Sequence, residues 1–341
     1  MIRLGILGPG RIVDRVMTDM ANAKEVNVTA VASRSIDRAK AAAKRYGFPT
    51  AYGSYEEMAK SREVDLVYIA TPHPFHAEQA MLMMRNGKHV ICEKPMAVND
   101  SETETMAACA RENSVFLMEA MWTRFMPAAI KTKQLADDGE IGEIRHIDAN
   151  FSYSGQYDEK DRLYNMDLAG GALLDLGVYP LMAITLFLGW KPDSVSAVSF
   201  KAPTGADTRM CAQLGFPSGA TAQFFCGMDA EADQRLAVYG TEGWLEIPDF
   251  WHPTRVILHH GGKQKTFEYP PENEGHHYEF DHAAGCIRNG MTESPVVTLE
   301  ESIAVSRLCT QMRKQMGIIY PMDFSAKNAG VSGCETGENV P

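Results

Sequence analysis

The opening of the chain, Met1-Ile2-Arg3-Leu4-Gly5-Ile6-Leu7-Gly8-Pro9-Gly10-Arg11-Ile12-Val13, decides the predicted fold. Leu4–Leu7 has the pattern of a buried strand, and a helix pattern follows from Ile12. Gly8 and Gly10 lie at the junction, where a dinucleotide fingerprint needs glycines for a tight turn and for backbone close to a pyrophosphate. The helix N-terminus there favours an anion. Gly8, Gly10, Arg11 and Ile12 are therefore candidate cofactor contacts, with a bare structural turn as the alternative.

Strand and helix patterns alternate from this opening to about residue 121. Short apolar runs predict strands buried on both faces, as in a parallel sheet. The predicted strands are Leu4–Leu7, Val28–Ser33, Leu66–Thr71, His89–Cys92 and Val115–Met118. The predicted helices are Ile12–Ala23, Asp37–Tyr46, Pro74–Asn86 and Ser101–Glu112. This alternation predicts a doubly wound α/β domain over residues 1–121.

The pattern changes after Met121. A helix is expected near Ala129–Asp138, a strand at Glu143–Tyr153 and a long helix at Gly171–Leu188. Between residues 194 and 267, strand-like runs separated by turn signals suggest an antiparallel meander. Two further helices are predicted near His277–Asn289 and Leu299–Met316. We therefore expect a second α/β domain with a mostly antiparallel sheet over residues 122–324, and a disordered tail over 325–341.

Composition limits the possible classes of function. Of 341 residues, 45% are apolar and 23% charged, which is typical of a globular protein. The formal charge of −11, from 33 basic and 44 acidic residues, disfavours binding to nucleic acid or to anionic lipid. We expect no membrane segment, because by this pattern no apolar run approaches the about 18 residues that a span needs.

The cysteines and the N-terminus suggest a cytoplasmic protein without a structural metal. The seven cysteines are scattered and never spaced as Cys-x-x-Cys, so we expect reduced thiols and no zinc site. The pairs His259-His260 and His276-His277 are adjacent, and adjacent residues of a strand point to opposite faces. The first residues form a strand and lack the layout of a signal peptide.

The end of the second strand bears on cofactor choice. A site specific for NAD would place an acidic residue here, to bind the ribose 2′-hydroxyl. Ser33 and Arg34 occupy this place instead, with Arg38 one helical turn further on. A hydroxyl and guanidinium groups suit a 2′-phosphate, so we expect NADP(H) in preference to NAD(H). The alternative is a solvated, basic helix start.

Two more strand ends carry candidate site residues at the edge of the sheet where open α/β folds bind ligands. Thr71 and Pro72 are candidate contacts for the nicotinamide half of a cofactor. His76 is a candidate too, although it is equally suited to helix capping or packing.

Glu93-Lys94-Pro95 follows the fifth predicted strand. A lysine at the end of a buried strand needs a task or a partner, because burying an ammonium is costly. Its charge would stabilise an alkoxide that forms on a nearby hydroxyl. Glu93 is a candidate ribose ligand or ion-pair partner. A purely structural pair of Lys94 and Glu93 is the alternative.

These motifs together resemble the Gfo/Idh/MocA oxidoreductase family. The C-terminal half agrees, since residues 170–179, Gly-Gly-Ala-Leu-Leu-Asp-Leu-Gly-Val-Tyr, resemble the family signature Gly-Gly-x-x-x-Asp-x-Gly-x-His. Tyr179 replaces the usual histidine. That replacement, together with residues 118–125, Met-Glu-Ala-Met-Trp-Thr-Arg-Phe, is similar to the branch of dimeric dihydrodiol dehydrogenases and NADP-dependent D-xylose dehydrogenases.

The resemblance implies a Rossmann domain followed by a domain whose open sheet often forms a dimer interface. It implies Lys94 and Tyr179 as the catalytic pair, with Asp175 orienting the substrate or the tyrosine. Four residues apart on a helix, Asp175 and Tyr179 would share one face. A tyrosine pKa of about 10 is too high for an efficient base at neutral pH, and we expect Lys94 to lower it.

Aromatic side chains are expected to complete the pocket. Trp122, Phe151 and Trp251 are candidate substrate contacts, because flat apolar faces suit the C–H faces of a sugar or a diol. Trp122 is also a candidate cofactor contact. So is Arg124, which could instead bind a substrate hydroxyl or pair with an acid. Structural packing is the alternative for each aromatic residue.

The sequence therefore predicts an NADP(H)-dependent oxidoreductase that acts on a hydroxyl or carbonyl of an aldose or a trans-dihydrodiol. A homodimer, or a dimer of dimers, is expected through the second sheet. Two alternatives remain: a sensor that binds the dinucleotide without catalysis, and a glycoside hydrolase that uses bound NAD. A pure sensor would need neither Lys94 nor Tyr179. A hydrolase would need an acidic ribose ligand where Ser33 and Arg34 stand.

Overall fold

The structure, a computed structural model, describes residues 1–270 and 274–325. Its N-terminal strands are β1 (Ile2–Leu7), β2 (Val26–Ala32), β3 (Thr50–Tyr52), β4 (Leu66–Ile69), β5 (His89–Glu93) and β6 (Leu117–Ala120). All pair in parallel, in the order β3-β2-β1-β4-β5-β6. The intervening helices are α1 (Arg11–Asp19), α2 (Ile36–Tyr46), α3 (Tyr55–Lys60), α4 (His76–Arg85) and α5 (Asp100–Glu112). The predicted doubly wound domain is confirmed.

The order of these strands locates a ligand site. β1 lies between β2 and β4. β2 and β3 extend the sheet on one side of β1, and the order then reverses, because β4, β5 and β6 extend it on the other side. In open α/β sheets this reversal leaves a crevice beyond the carboxyl ends of the strands. β4 is buried at every residue, which explains its continuous apolar sequence. The residues after β1, β4 and β5 therefore face the crevice.

The second sheet is larger and mostly antiparallel, as predicted. Its strands are β7 (Ile144–Ser152), β8 (Ser194–Lys201), β9 (Asp207–Gly215), β10 (Thr221–Gly227), β11 (Leu236–Gly240), β12 (Gly243–Ile247), β13 (Arg255–His260) and β14 (Lys263–Glu268). They are ordered β14-β13-β12-β11-β7-β10-β9-β8.

The predicted single meander is wrong in one respect. β7 is inserted between β10 and β11, and it runs parallel to β10. The strands from β8 to β14 therefore form two antiparallel meanders, one on each side of β7. The sequence pattern of a strand identifies the strand, but it does not show with which distant strand it pairs.

The helices of the second half are α6 (Pro127–Asp137), α7 (Val178–Leu188), α8 (His277–Arg288), α9 (Leu299–Met316) and α10 (Met322–Ser325). Of these, α6, α7 and α9 pack on the second sheet, whereas α8 packs against β2 of the first sheet. The side chain of Ser306 in α9 bonds Thr103 of α5 at 3.0 Å, and Gln315 accepts a bond from Ala197 of β8 at 2.8 Å. α9 thus contacts both domains.

Several short elements were missed by the sequence analysis. β3 has three residues and α3 has six, which is too short for a periodic pattern to identify. β14 was also not assigned. The predicted helix from Ile12 to Ala23 ends earlier, because α1 stops at Asp19 and a 3₁₀ turn follows over Met20–Asn22. Residues 326–341, most of the predicted disordered tail, lie outside the described residues.

The expectation about apolar segments needs correction. The helical stretch Met166–Leu188 has a mean hydropathy of 1.8 and is long and apolar enough to cross a membrane. Its apolar window is 72% buried inside the protein, which is typical of a core helix. α7, the C-terminal part of this stretch, packs against β7, β10 and α9.

A buried ion pair connects the segment after β6 to α9. Arg124 lies 2.9 Å from Glu301, and the two side chains are 9% and 3% exposed. Arg307 of α9 pairs with Glu104 of α5 at 2.7 Å, with side chains 59% and 50% exposed. Removing one member of a buried pair leaves the other charge uncompensated, whereas an exposed partner is solvated by water.

We therefore predict different costs for two matched substitutions. Arg124→Met should lower the free energy of unfolding by about 3–5 kcal/mol. Arg307→Met should lower it by less than about 1 kcal/mol. Urea unfolding followed by circular dichroism measures both. An equal loss of unfolding free energy in both variants would contradict the interpretation that the buried Arg124–Glu301 pair connects the segment after β6 to α9.

Candidate functional site

A cavity of about 620 Å³ lies between the carboxyl ends of the parallel strands and the second domain. Residues from both domains line it. These are Gly10, Arg11, Ile12, Arg15, Ala70, Thr71, Pro72, His73, His76, Glu93, Lys94, Phe151, Tyr153, Arg162, Asp175, Leu176, Tyr179, Gln234 and Trp251. Most of the residues singled out from the sequence therefore meet at one place.

The glycine pair has the geometry that a dinucleotide requires. Gly8 has φ +88°, and a Cβ there would lie 2.5 Å from Cγ2 of Thr71. A Cβ on Gly10 would approach the carbonyl oxygen of Ala70 to 3.1 Å. Gly10 is also the residue directly before α1, whose first amide groups are free to bind an anion. Neither position tolerates a side chain easily, and the residues present fit a pyrophosphate.

The candidate ligands for a 2′-phosphate lie just after β2. Ser33 is buried, with 5% of its surface exposed, while Arg34 and Arg38 are exposed at the start of α2. The guanidinium carbon of Arg34 lies 5.6 Å from the ring centre of Phe75. These three residues do not line the cavity itself. They lie at the end of the strand beside β1, where the adenosine end of a dinucleotide would reach.

His76 connects two strand ends. Its Nε2 lies 2.7 Å from the carbonyl oxygen of Thr71, and its Nδ1 lies 3.0 Å from that of Pro95. Burial lowers the pKa of His76, so the neutral ring donates to one of these oxygens at a time. The geometry gives His76 a structural role in the cavity wall, holding the segments that follow β4 and β5.

Lys94 reaches across the cavity to the second domain. Its Nζ donates a hydrogen bond of 2.6 Å to the backbone oxygen of Asp175 and lies 3.8 Å from the carboxylate Oδ1. Burial alone would lower the pKa of Lys94, but Asp175, Tyr179 and Glu93 raise it overall. Burial would raise the pKa of Asp175, but Lys94 and Arg162 hold it well below its usual range. Both groups are therefore charged at neutral pH.

Glu93 has other partners than the Lys94 ammonium. The hydroxyl of Tyr68 donates to one carboxylate oxygen of Glu93, and the backbone N–H of Lys94 donates to the other at 3.2 Å. Burial raises the pKa of Glu93. The structure therefore does not contain the alternative, an ion pair between the side chains of Lys94 and Glu93. The Lys94 ammonium contacts Asp175 instead.

Tyr179 lies beside Lys94 with its hydroxyl inside the protein. The Lys94 Nζ is 5.0 Å from the centre of the tyrosine ring. The indole Nε1 of Trp122 donates a hydrogen bond of 3.2 Å to the Tyr179 hydroxyl. Burial raises the pKa of Tyr179, and the lowering effect of Lys94 only partly offsets it. Lys94 thus lowers the pKa of Tyr179 as expected, but burial outweighs this effect, and the sequence does not reveal how completely the phenol is desolvated.

The helix that carries Asp175 and Tyr179 has an irregular start. Leu173–Gly177 forms a π-helical turn, and α7 begins only at Val178. Such turns occur frequently at functional sites. Both side chains line the same cavity, as their predicted spacing on one face requires.

Aromatic rings form the side of the cavity that belongs to the second domain. Phe151 and Trp251 stack with centres 5.3 Å apart and planes 13° apart. Gln234, whose φ of +53° is unusual for a side-chain-bearing residue, accepts a hydrogen bond of 2.6 Å from Trp251 Nε1. Trp122 is 3% exposed and lies behind Tyr179 and Trp251 rather than in the wall.

Arg124 does not line this cavity. Its terminal nitrogens donate to Glu301 and to the backbone oxygens of Met182 and Val296. Of the roles considered from the sequence, only pairing with an acid agrees with these contacts. Among the described residues, no group of three or more His, Cys, Asp or Glu side chains is arranged to bind a metal.

Seven of the cavity residues were missed by the sequence analysis, and four of them have titratable side chains. Arg162 donates from both terminal nitrogens to Oδ1 of Asp175, each at 3.1 Å. Tyr153 lines the cavity beside it, and Arg15 lies 5.6 Å from the ring centre of Trp251. His73 is 5% exposed, and burial holds its pKa well below the usual value. Only His73 had a sequence signal, since it directly follows Thr71-Pro72.

Comparison with known proteins gives consistent results. Residues 2–121 match the model of the oxidoreductase family GFO/IDH/MocA with an NAD-binding Rossmann fold, and residues 130–246 match the GFO/IDH/MocA C-terminal domain. Trans-1,2-dihydrobenzene-1,2-diol dehydrogenase from Bos taurus is 38% identical over 335 residues, which cover 94% of this chain and 99% of that protein. The Mus musculus enzyme of that name is 37% identical with the same coverage.

Solved structures agree on the whole architecture. KijD10, a 3-ketoreductase from Actinomadura kijaniata in complex with NADP, is 31% identical with a TM-score of 0.84, covering 94% of this chain and 99% of that one. Aldose-aldose oxidoreductase from Caulobacter crescentus is 28% identical with a TM-score of 0.85, covering 92% and 97%. The matches extend across both domains.

Proposed function

The chain belongs to the GFO/IDH/MocA oxidoreductase family, and from that premise we propose that it transfers hydride between NADP(H) and a hydroxyl or carbonyl of an aldose or a trans-dihydrodiol. The observation that carries this proposal is the meeting of Lys94, Asp175 and Tyr179 in the cavity beyond the parallel strands. Relatives that act on diols and sugars support it. With an aldose, oxidation would yield a lactone.

Each of these cavity residues has a separate role in the oxidation of the substrate. Bound NADP(H) supplies the carbon that accepts or releases the hydride. Tyr179 takes the proton of the substrate hydroxyl, and the Lys94 ammonium stabilises the negative charge that develops on that oxygen. Asp175 holds Lys94 through its backbone oxygen and carboxylate. Phe151 and Trp251 hold the apolar face of the substrate.

NADP(H) is proposed in preference to NAD(H). The support is the absence of an acid at the end of β2, where buried Ser33 and the exposed guanidinium groups of Arg34 and Arg38 stand instead. The presence of NADP in the structure of the 31% identical ketoreductase agrees with this preference. The same residues disfavour a hydrolase that holds NAD tightly.

The first prediction concerns the catalytic lysine. Lys94→Met should lower kcat by about 10²–10⁴-fold, because a charge that stabilises the transition state is lost. Tyr179→Phe should lower kcat by a similar factor, while NADPH binding, measured by fluorescence, changes little for either variant. Lys133→Met, at an exposed i,i+4 pair on α6, is the control and should keep its activity. Full activity of Lys94→Met would contradict the proposed role.

The second prediction concerns pH. Oxidation needs Tyr179 without its proton, and burial raises the pKa of Tyr179 above its ordinary value of 10. The kcat/KM for oxidation should therefore rise with a slope of about 1 in logarithmic units from pH 7 to pH 10. Removing the Lys94 charge raises the pKa further, so Lys94→Met should show the rise at still higher pH. A plateau below pH 8 in the wild type would exclude Tyr179 as the titrating base.

The third prediction concerns cofactor choice. Arg34→Glu should lower kcat/KM for NADP⁺ by about 10–100-fold, since a charge-assisted hydrogen bond contributes about 1.5–3 kcal/mol. Activity with NAD⁺ should be kept or increased. Arg45→Glu, exposed at the other end of α2, is the control. Equal effects of both substitutions would show that Arg34 only contributes general positive charge.

We further propose that the open face of the second sheet joins two copies of the chain. Stacked rings cross four of its strands, His146 on Tyr239, Tyr239 on Trp244 and Trp244 on His259. At the edge strand β8, Val198 is 63% exposed. Apolar and aromatic groups in this arrangement are typical of a protein interface.

Light scattering after size exclusion tests the assembly. The wild type should have at least twice the chain mass of 37.6 kDa. The double variant Val198→Glu, Trp244→Ala should approach the mass of one chain, because a charge and a lost ring disrupt the face. Ile130→Glu, on an exposed position of α6, should not change the mass. A monomeric wild type would overturn the proposal.

A cytoplasmic location is proposed as well. The six described cysteines, Cys92, Cys109, Cys211, Cys226, Cys286 and Cys309, are all free thiols. Unpaired cysteines are typical of a reducing compartment.

A further inference from the structure

Arg162 approaches the candidate catalytic centre from an irregular segment between β7 and the π-helical turn. Its NH1 and NH2 both donate to the same oxygen, Oδ1 of Asp175, at 3.1 Å. Its side chain is 39% exposed and lines the cavity. Lys94 contacts the same carboxylate from the other side at 3.8 Å. Asp175 is therefore held between two cations, of which Arg162 is the one more open to the cavity.

Arg162 and Asp175 both have hydrogen-bonding groups that their contact with each other does not use. A guanidinium has five N–H groups, and the two bonds to Asp175 engage only two of them. The remaining N–H groups of Arg162, and the second carboxylate oxygen of Asp175, have no partner among the described residues. A hydroxyl placed here can donate to the carboxylate while it accepts from the guanidinium.

Tyr153 adds a third polar group to the same wall. Its side chain lines the cavity, and its hydroxyl has no hydrogen-bond partner within the described part of the chain. Burial raises the pKa of Tyr153 to about 12, with a further contribution from Asp175, so its hydroxyl keeps its proton and can donate. Donors and an acceptor thus line the same cavity as the stacked rings of Phe151 and Trp251.

We propose that Arg162, Tyr153 and the free oxygen of Asp175 form a binding subsite for substrate hydroxyls other than the one that reacts. This inference rests on the proposed oxidoreductase function and narrows its substrate to polyhydroxylated compounds such as aldoses. A sugar presents several hydroxyls to this wall. A dihydrodiol has only one hydroxyl besides the one that reacts, next to a hydrocarbon ring, so it can pair with fewer of these polar groups.

Arg162 could act in a second way, by orienting Asp175 alone, and the two roles predict different kinetics. A pure positioning role affects every substrate equally, because each one depends on Lys94 and Asp175. A subsite role affects a sugar strongly and a dihydrodiol weakly. It also acts mainly on KM, since contacts remote from the reacting carbon are made in the ground state and the transition state alike.

The test compares D-xylose with trans-1,2-dihydrobenzene-1,2-diol as substrates of wild type, Arg162→Met and Arg162→Lys, with NADP⁺ reduction followed at 340 nm. Arg162→Met should lower kcat/KM for the sugar by about 10–100-fold, mostly through KM, and for the dihydrodiol, which has a single additional hydroxyl, by a smaller factor. Arg162→Lys should recover part of the loss. Arg307→Met, which breaks an exposed Arg–Glu pair between α9 and α5 outside the cavity, is the control.

Equilibrium binding of D-xylose to the NADPH complex, followed by tryptophan fluorescence, separates failure of the subsite from failure of the proposed function. A wild type that oxidises neither compound and binds no sugar would overturn both. A wild type that oxidises the dihydrodiol but not the sugar would overturn the subsite alone. Equal losses on both substrates in Arg162→Met would also overturn it and leave a positioning role.

Discussion

The contact between Lys94 and Asp175 is the constraint on which the rest of the site depends. A buried ammonium is stable only with a compensating partner, and its partner here belongs to the other domain. Lys94 directly follows β5 of the parallel sheet, and Asp175 lies in the π-helical turn before α7. Their contact therefore positions the two domains, sets the distance from Lys94 to Tyr179, and keeps the carboxylate charged.

Hydrogen bonds from neighbouring residues hold the groups around the contact between Lys94 and Asp175. His76 holds the segments that follow two strands, and Trp122 donates to the Tyr179 hydroxyl from behind. Gln234 accepts from the indole of Trp251 and keeps it stacked on Phe151. None of these groups needs to touch the reacting atoms. Each limits the motion of a group that does, which is the arrangement that precise proton and hydride transfer requires.

Much of this could be predicted from local sequence, and the rest depends on distant contacts. The glycine turn and the buried strands were predictable, because a positive φ and continuous burial restrict the residues allowed at each position. The insertion of β7 between β10 and β11 was not, since strand pairing leaves no local pattern. Arg124 and Arg162 show the same limit. Both lie in irregular segments, and only their acidic partners, Glu301 and Asp175, distinguish a structural arginine from one in the cavity.

The measurement that tests the central claim most directly is the fate of the hydrogen on the reacting carbon. An aldose deuterated at C1 is oxidised with NADP⁺, and the nicotinamide product is examined by mass spectrometry and proton NMR. Direct hydride transfer predicts one deuterium at nicotinamide C4 for each lactone formed, with formation abolished by Lys94→Met. Unlabelled NADPH, with the deuterium released to water, would contradict the account.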